Sequence, residues 1–312
     1  MACVSPLKGF LDKETGGILF KRSKQAGRDM EVPCGRCIGC RIDKKREWAT
    51  RIMHEAMMHP QNCFITLTYR DYEVCTKEQK RKRQHLPFDL SLNKAHFQKF
   101  MKRLRKRFPD RCIRYYHCGE YGENYDRPHY HACLFNVDFA DKELFKDDNG
   151  YLLFTSKLLE EIWSYGFVTI AELTFDSAAY TAGYVTKKIS GDKAHEHYSR
   201  VDVRTGEIYQ IEPEYATMSR NPGIGSMFYD KFKSDMFPRD LVPVPGKGVF
   251  NRAPRYYLDK LEKENPIAAE EIKRIREKFV EEHGEDYGPG MDWSRYLILK
   301  AREDLFSKER LE

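Results

Sequence analysis

At 312 residues the chain can hold one large domain or two smaller ones, and its net charge of +6, with 33% charged and 13% aromatic residues, suits a nucleic-acid partner as well as an ordinary enzyme surface. No apolar run approaches the roughly 18 residues of a membrane helix, and no charged-then-apolar leader opens the sequence, so a soluble, unsecreted protein without a membrane partner is expected. Nine cysteines, three of them in one tight cluster, point to reduced thiols with a metal site rather than a disulfide framework. Repeats of about 20 to 50 residues and low-complexity segments are absent.

Gly16-Gly17 marks a turn, predicting a small hairpin between Gly9 and Arg22. Cys34-Gly35-Arg36-Cys37-Ile38-Gly39-Cys40 follows, and Cys3 supplies a fourth thiolate. Four thiolates fit structural Zn²⁺; the triple spacing also resembles part of an iron–sulfur run, and free thiols are the plain alternative. Arg41 to Met58 reads as a basic helix with Trp48, Ile52 and Glu55/Ala56 at helical spacing. Asn62 to Tyr69 alternates and is β-rich, so it reads as a strand. A loop with a basic run, Lys77 to Arg83, leads to Asn93, which caps a helix through Phe108. Phe97, Phe100, Met101 and Leu104 form its apolar stripe. Lys94, Lys99, Lys102, Arg103, Arg105, Lys106 and Arg107 give it seven cations and no acid, a solvated outer face or a DNA-facing one.

Ile113 to Gly119 is a second strand ending at Glu120, and a short turn joins it to Arg127-Pro128-His129-Tyr130-His131-Ala132-Cys133-Leu134-Phe135. The alternation there predicts a half-buried strand with His129 and His131 on one face and Tyr130, Ala132 and Leu134 on the other. Two imidazoles two residues apart can converge on a divalent ion. Hairpin pairing puts Glu120 beside them as a third ligand, with Glu123 the runner-up. His195-Glu196-His197 carries the same spacing and reads as a chance surface pair.

Ser156 to Tyr165 reads as a helix stopped by Gly166, Phe167 to Leu173 as a strand, and Ala178 to Lys188 as a helix capped by Asp176 or Ser177. Tyr180 and Tyr184 are one turn apart on one helical face, with Lys187 and Lys188 in the next turn. Such tyrosines more commonly serve packing. Beyond, Asn221 to Gly225 and Pro243 to Gly248 read as loops, and Arg200 to Arg220 as a polar stretch with a Thr205-Gly206 turn. Asn251 to Tyr257 suits either single-strand contact or the start of a helix. Pro266 to His283 reads as a helix with Ile267, Ile272, Ile275 and Phe279 inward, and Trp293 to Phe306 as a last helix.

Phe-Ile-Thr-Leu-Thr at 64–68, His-Tyr-His at 129–131 and Tyr-x-x-x-Tyr-Val-x-Lys-Lys at 180–188 together resemble the three ordered motifs of the HUH endonucleases, initiators of rolling-circle replication. The paired tyrosines resemble the two-tyrosine class, which includes microvirus initiators. The start Met-Ala-Cys-x-x-Pro and the Pro-Cys-Gly-x-Cys-x-x-Cys cluster are similar to the gokushovirus branch. The resemblance covers about residues 1 to 190; the last third carries no matching motif. It implies an α+β fold, an antiparallel sheet with helices on one side, related to the ferredoxin and RNA-recognition folds. The order β-α-β-β-α-β-α read above agrees. The expected organisation is a Cys-rich segment and basic helix at 1–60, an endonuclease core at 61–192, and a loop and helical extension at 193–312.

The resemblance further implies Mg²⁺ or Mn²⁺ on His129, His131 and Glu120. Tyr180 or Tyr184 would attack the scissile phosphate with help from Lys187 or Lys188, giving a 5′-phosphotyrosine that is later rejoined. Arg103, Arg105, Lys106, Arg107 and Arg127 are the candidate DNA contacts. The substrate would be single-stranded viral origin DNA in the host bacterial cytoplasm. No G-x-x-x-x-G-K-[ST] stretch occurs, so a host helicase and a host DNA polymerase would serve as partners. The rival readings are a transposase, plasmid initiator or relaxase of the same chemistry, and a zinc-dependent DNA-binding regulator without catalysis.

Overall fold

The computed structural model describes residues 3–70, 90–122, 126–148, 150–187, 189, 191–202, 205–283 and 296–301. The Lys77–Arg83 run, Glu123, Lys188 and the side chain of Lys187 lie outside the described residues. In chain order the elements are β1 (Leu7–Asp12), β2 (Ile18–Leu19), β3 (Ala26–Val32), α1 (Ile38–Met57), β4 (Asn62–Thr68), α2 (Lys94–Arg107), β5 (Arg114–Tyr121), β6 (Pro128–Phe135), β7 (Glu143–Asp148), β8 (Tyr151–Thr155) and α3 (Lys157–Trp163). There follow β9 (Val168–Ala171), α4 (Phe175–Lys187), α5 (Lys193–His197), β10 (Ser199–Val201), β11 (Ile208–Gln210), β12 (Tyr215–Met218), α6 (Ser226–Met236), β13 (Leu241–Val244), β14 (Gly248–Asn251), α7 (Arg255–Glu264) and α8 (Pro266–His283).

The chain divides into two units, Met1–Arg46 with Leu261–Glu312, and Glu47–Lys260. The first holds the antiparallel sheet β2-β1-β3, in which the expected hairpin forms: Asp12 accepts from the Glu14 and Thr15 amides, and Gly16 takes φ +66°. In the same unit α8 differs from its expected facing. Ile272 and Ala269 are buried, but Ile267, Ile275 and Phe279 are exposed, so its inward stripe is narrower than the apolar spacing implies.

The second unit is an α+β fold on a seven-stranded sheet of order β12-β5-β6-β4-β9-β8-β7, with every paired neighbour antiparallel. Three strands in it escaped the sequence reading: the β7–β8 hairpin, and β12, whose four residues are all half-buried and show no alternation. β4 does alternate. Cys63, Ile65 and Leu67 are buried in one core with Tyr130, Ala132 and Leu134 of β6, the stripe Phe97, Phe100, Met101 and Leu104 of α2, and Leu159, Ile162 and Trp163 of α3. The opposite face forms a second core: Cys133 and Phe135 of β6 join Tyr116 of β5, Ala49, Ile52 and Met53 of α1, and Ala178 and Ala179 of α4. Helices therefore cover both faces, not one. β6 is consequently buried nearly throughout rather than half-buried, with His129 its one intermediate residue.

Local signals place the helices around the sheet. Asn93 caps α2 by accepting from the Ala95 amide at 3.0 Å, as expected. α4 is capped one to two residues earlier than expected: Thr174 Oγ1 accepts from the Ser177 amide while Ser177 Oγ accepts from the Thr174 amide, a reciprocal box. α3 ends on Ser164 in the left-handed region at φ 61°, so Gly166 is not its stop. A Cβ on Gly166 would lie 2.3 Å from the Thr68 carbonyl, so glycine lets the chain cross β4 closely.

α1 carries a buried charge that its helical spacing concealed. Glu55 is fully buried and pairs with Arg114 of β5, accepts from the Gly225 amide at 2.7 Å and touches His59 at 3.3 Å. Burial opposes ionising Glu55, and these donors outweigh it, holding the carboxyl below its usual range. His54 beside it is wedged between Tyr257 Oη (2.9 Å) and the Pro243 carbonyl (2.8 Å) and stacks on Phe228. Tyr257 is thus a packing residue, and residues 251–257 begin a helix.

Candidate active site

β5 and β6 pair as the expected hairpin, and their register sets Glu120 directly opposite His129 and Cys118 opposite His131. Directly opposed residues of an antiparallel pair share a face, so the acid and both imidazoles stand on one side of the sheet. His131 Nε2 contacts Glu120 Oε1, and its Nδ1 lies 3.0 Å from Thr66 Oγ1 of β4. His129 Nδ1 lies 2.7 Å from the Arg127 carbonyl, which can only accept; the proton therefore sits on Nδ1 and Nε2 keeps its lone pair. Burial lowers the pKa of His129, against the Arg127 hydrogen bond that raises it. Gly122 makes room for this ring, since a Cβ there would come within 3.0 Å of His129 Cε1.

α4 lays its tyrosines across the same face. The Tyr180 hydroxyl donates to Glu120 Oε1 at 3.4 Å, and its ring meets the edge of His131 at 5.1 Å. Tyr184 stacks on His131 with ring centres 5.8 Å apart and 12° between planes, and the two tyrosines meet edge to face at 4.7 Å. Tyr184 is buried, and burial together with the Glu120 charge pushes its phenol well above the usual range. Two site residues were missed in sequence, Thr66 and Phe64, which lies parallel to His131 at 5.7 Å. The signal was present: in Phe-Ile-Thr-Leu-Thr the buried Ile65 and Leu67 leave Phe64 and Thr66 on the histidine face.

The candidate DNA contacts are not brought to this face. α2 packs on the other side of the sheet, where Arg103 donates to the Ile162 and Trp163 carbonyls at 2.6 and 2.7 Å and Arg105 to the Ile113 carbonyl. Lys106 and Arg107 are exposed. Arg127 adjoins the histidines but donates to the Tyr69 carbonyl at 2.8 Å. His195 and His197 are exposed on α5, away from a second ligand set, as a chance pair would be.

Two residue sets suit metals. Cys3, Cys34, Cys37 and Cys40 are the one group among the described residues whose ligand atoms all lie within 4.8 Å of one another. The Cys3 and Cys37 sulfurs are 3.8 Å apart, far beyond a disulfide and close to the roughly 3.8 Å edge of a tetrahedron with Zn–S of about 2.3 Å. Backbone amides of Val4, Cys34, Arg36 and Cys37 point at the sulfurs of this set, supplying outer hydrogen bonds for thiolates. Burial opposes ionising Cys34, and the Arg36 and Cys37 amides outweigh it, holding that thiol down at about 6. The donor chemistry of His129, His131 and Glu120 also suits a divalent ion, in a looser arrangement than the cysteines.

The family model for the replication-associated protein ORF2 matches residues 62–189, which span β4 through α4. The chain is 34% identical over 302 residues to the replication-associated protein ORF2 of Spiroplasma virus 4, covering 89% of this chain and 86% of that one. It is 32% identical over 271 residues to the replication-associated protein VP4 of Bdellovibrio phage phiMH2K, covering 85% and 79% respectively. With the replication-associated protein ORF4 of Chlamydia phage 1 it shares 30% identity over half of this chain and 38% of that one. No solved structure matches the chain. Sequence, motif order and coverage agree: the chain belongs to the replication-associated protein family of these small viruses, as a replication initiator of the gokushovirus type.

Proposed function

We propose that this initiator is a metal-dependent single-strand DNA endonuclease and strand transferase of the HUH kind, acting on viral origin DNA in the host bacterial cytoplasm. The observation that carries this reading is the reach of the Tyr180 hydroxyl to Glu120 Oε1, beside two imidazoles of which one is stacked by Tyr184. A tyrosine oxygen attacks the scissile phosphorus; the new O–P bond forms as the O–P bond to the 3′ oxygen breaks, and that oxygen leaves as a 3′ hydroxyl with a proton. The energy of the phosphodiester stays in the protein–DNA bond, so rejoining needs no ATP. A Mg²⁺ or Mn²⁺ ion held by His129, His131 and Glu120 would polarise and orient the phosphate. Thr66 suits either protonation state of His131, because a hydroxyl can donate to Nδ1 or accept from it.

The tyrosines are not equivalent. Tyr180 is part-exposed with its hydroxyl on Glu120, a carboxylate in place to take the phenol's proton; Tyr184 is buried and resists ionisation. Tyr180 makes the first cut in this account, and Tyr184 cuts the regenerated origin while the first end is still attached. Lys187 or Lys188 helps ionise the attacking phenol. Lys106 and Arg107, exposed at the end of α2, contact flanking phosphates; Arg103, Arg105 and Arg127 support the fold. The cysteine cluster holds a structural zinc ion, since its sulfurs are spaced for one ion rather than for a larger iron–sulfur core. A host helicase and polymerase supply unwinding and extension. Among the described residues no helix is long and apolar enough to cross a membrane.

A regulator that only binds DNA through the cysteine segment is the rival. Incubating the protein with single-stranded viral DNA, with Mn²⁺ or with EDTA, separates them: a shortened product with Mn²⁺ that disappears in EDTA is expected, and binding without product in either condition refutes the nuclease.

A further inference from the structure

The sheet register extends the site beyond its histidines. Thr68 of β4 lies opposite His129, and its amide donates to the Phe167 carbonyl at 2.9 Å just before β9. Glu120, His129, Thr68 and Phe167 therefore form one row across four strands on one face. Phe167 stands two interstrand spacings from His129, roughly 10 Å. In a row otherwise polar, it is a 53% exposed phenylalanine, with the exposed Arg70 guanidinium 5.0 Å from its ring centre. Its backbone is held firmly. The Phe167 carbonyl accepts from both the amide and hydroxyl of Thr68, Trp163 Nε1 donates to the Thr68 carbonyl at 2.7 Å, and Gly166 permits the close crossing.

A fixed backbone presenting an aromatic face to solvent, with a cation over it, is the construction that single-stranded nucleic acid uses: the ring stacks a base and the guanidinium meets the backbone. We propose that Phe167 and Arg70 form a base-stacking station for single-stranded DNA, holding a nucleotide that flanks the phosphate at His129. This rests on the nuclease reading for the phosphate's position but not for the binding itself. The Arg70 cation favours DNA over a second copy of the chain as the occupant of this face.

The test uses the full chain and fluorescein-labelled oligo(dT) of about 20 nucleotides, with affinity read by anisotropy across a salt series. Phe167→Ala should weaken binding about tenfold, and Phe167→Tyr should restore it. Arg70→Ala should weaken binding and lower the salt slope by about one. Photocrosslinking with 5-iododeoxyuridine in the oligonucleotide should label Phe167. Unchanged affinity in Phe167→Ala with no label at Phe167 overturns the station, as does a change in sedimentation mass without a change in affinity, which would mean that protein covers the ring. Cleavage is scored separately: loss of the station with normal cleavage leaves the nuclease standing, and a labelled Phe167 in a protein that never cleaves removes the nuclease alone.

Discussion

On one face of β6, Tyr130, Ala132 and Leu134 share a core with Phe97, Phe100 and Leu104 of α2 and Trp163 of α3; on the other, His129, His131 and Cys133 stand beneath α4 with Glu120 alongside. Burial scarcely separates the two. The fate of the polar atoms does. On the first face the Tyr130 hydroxyl is consumed internally: it takes the Asn93 amide at 2.8 Å and meets Tyr69 Oη at 2.8 Å, which in turn meets His96 Nδ1. On the second face Tyr180 is left part-exposed, and its hydroxyl reaches a carboxylate that also engages His131. A tyrosine whose hydroxyl is tied to backbone specifies a fold; one aimed at an ionisable cluster is placed for chemistry.

The comparison predicts separable failures. His131→Ala should lower single-turnover cleavage by roughly a hundred- to a thousandfold. Leu134→Ala, three residues along the same strand but on the first face, should cost about 3 kcal/mol of stability and leave cleavage per folded molecule unchanged. If both variants lose the same fraction of cleavage at matched folded concentration, the faces are not distinct.

Acid provides a second test. Burial holds His54 at about 4, and burial followed by the Lys99 and Arg103 charges holds His96 at about 4. The unfolded chain takes up protons on these imidazoles below about 6.5 while the fold does not. Stability is therefore complete above that pH, declines as pH falls from about 6.5 toward 4, and then levels. His54 alone contributes on the order of 3 kcal/mol of this decline. Urea midpoints across that window check it, and His54→Gln should flatten the profile. A flat wild-type profile would contradict the assignment.

The smallest expected effects separate the cations of α2. Arg103→Ala removes two hydrogen bonds to the end of α3 and should cost about 2 kcal/mol without altering the salt dependence of DNA binding. Lys106→Ala should change stability by less than about 0.5 kcal/mol and lower the salt slope by about one.

Much of this was legible in sequence because alternation and caps are local. β4, β6 and α2 announce their faces within a few residues, and the Glu120–His129 pairing follows from a short hairpin. What was hidden depends on distant partners. β12 joins the sheet beside β5 from almost a hundred residues away, and four half-buried residues show no period. Glu55 looks like a helix-surface acid until Arg114 and Gly225 arrive to bury it. The α2 cations read as a DNA face because sequence cannot show that Arg103 and Arg105 end on carbonyls of neighbouring segments. Gly166 read as a helix stop, whereas its reason is a close crossing with β4.

The most direct measurement is the identity of the residue joined to DNA. The protein is incubated with single-stranded origin DNA and Mn²⁺, denatured in SDS, and the nucleotide-bearing peptide is located by mass spectrometry. The account predicts the linkage on Tyr180 in the first round, transfer to Tyr184 in Tyr180→Phe at a lower rate, and no adduct in the double phenylalanine variant, which still binds DNA. An SDS-resistant adduct in the double variant, or one mapped to a residue away from α4, would contradict it.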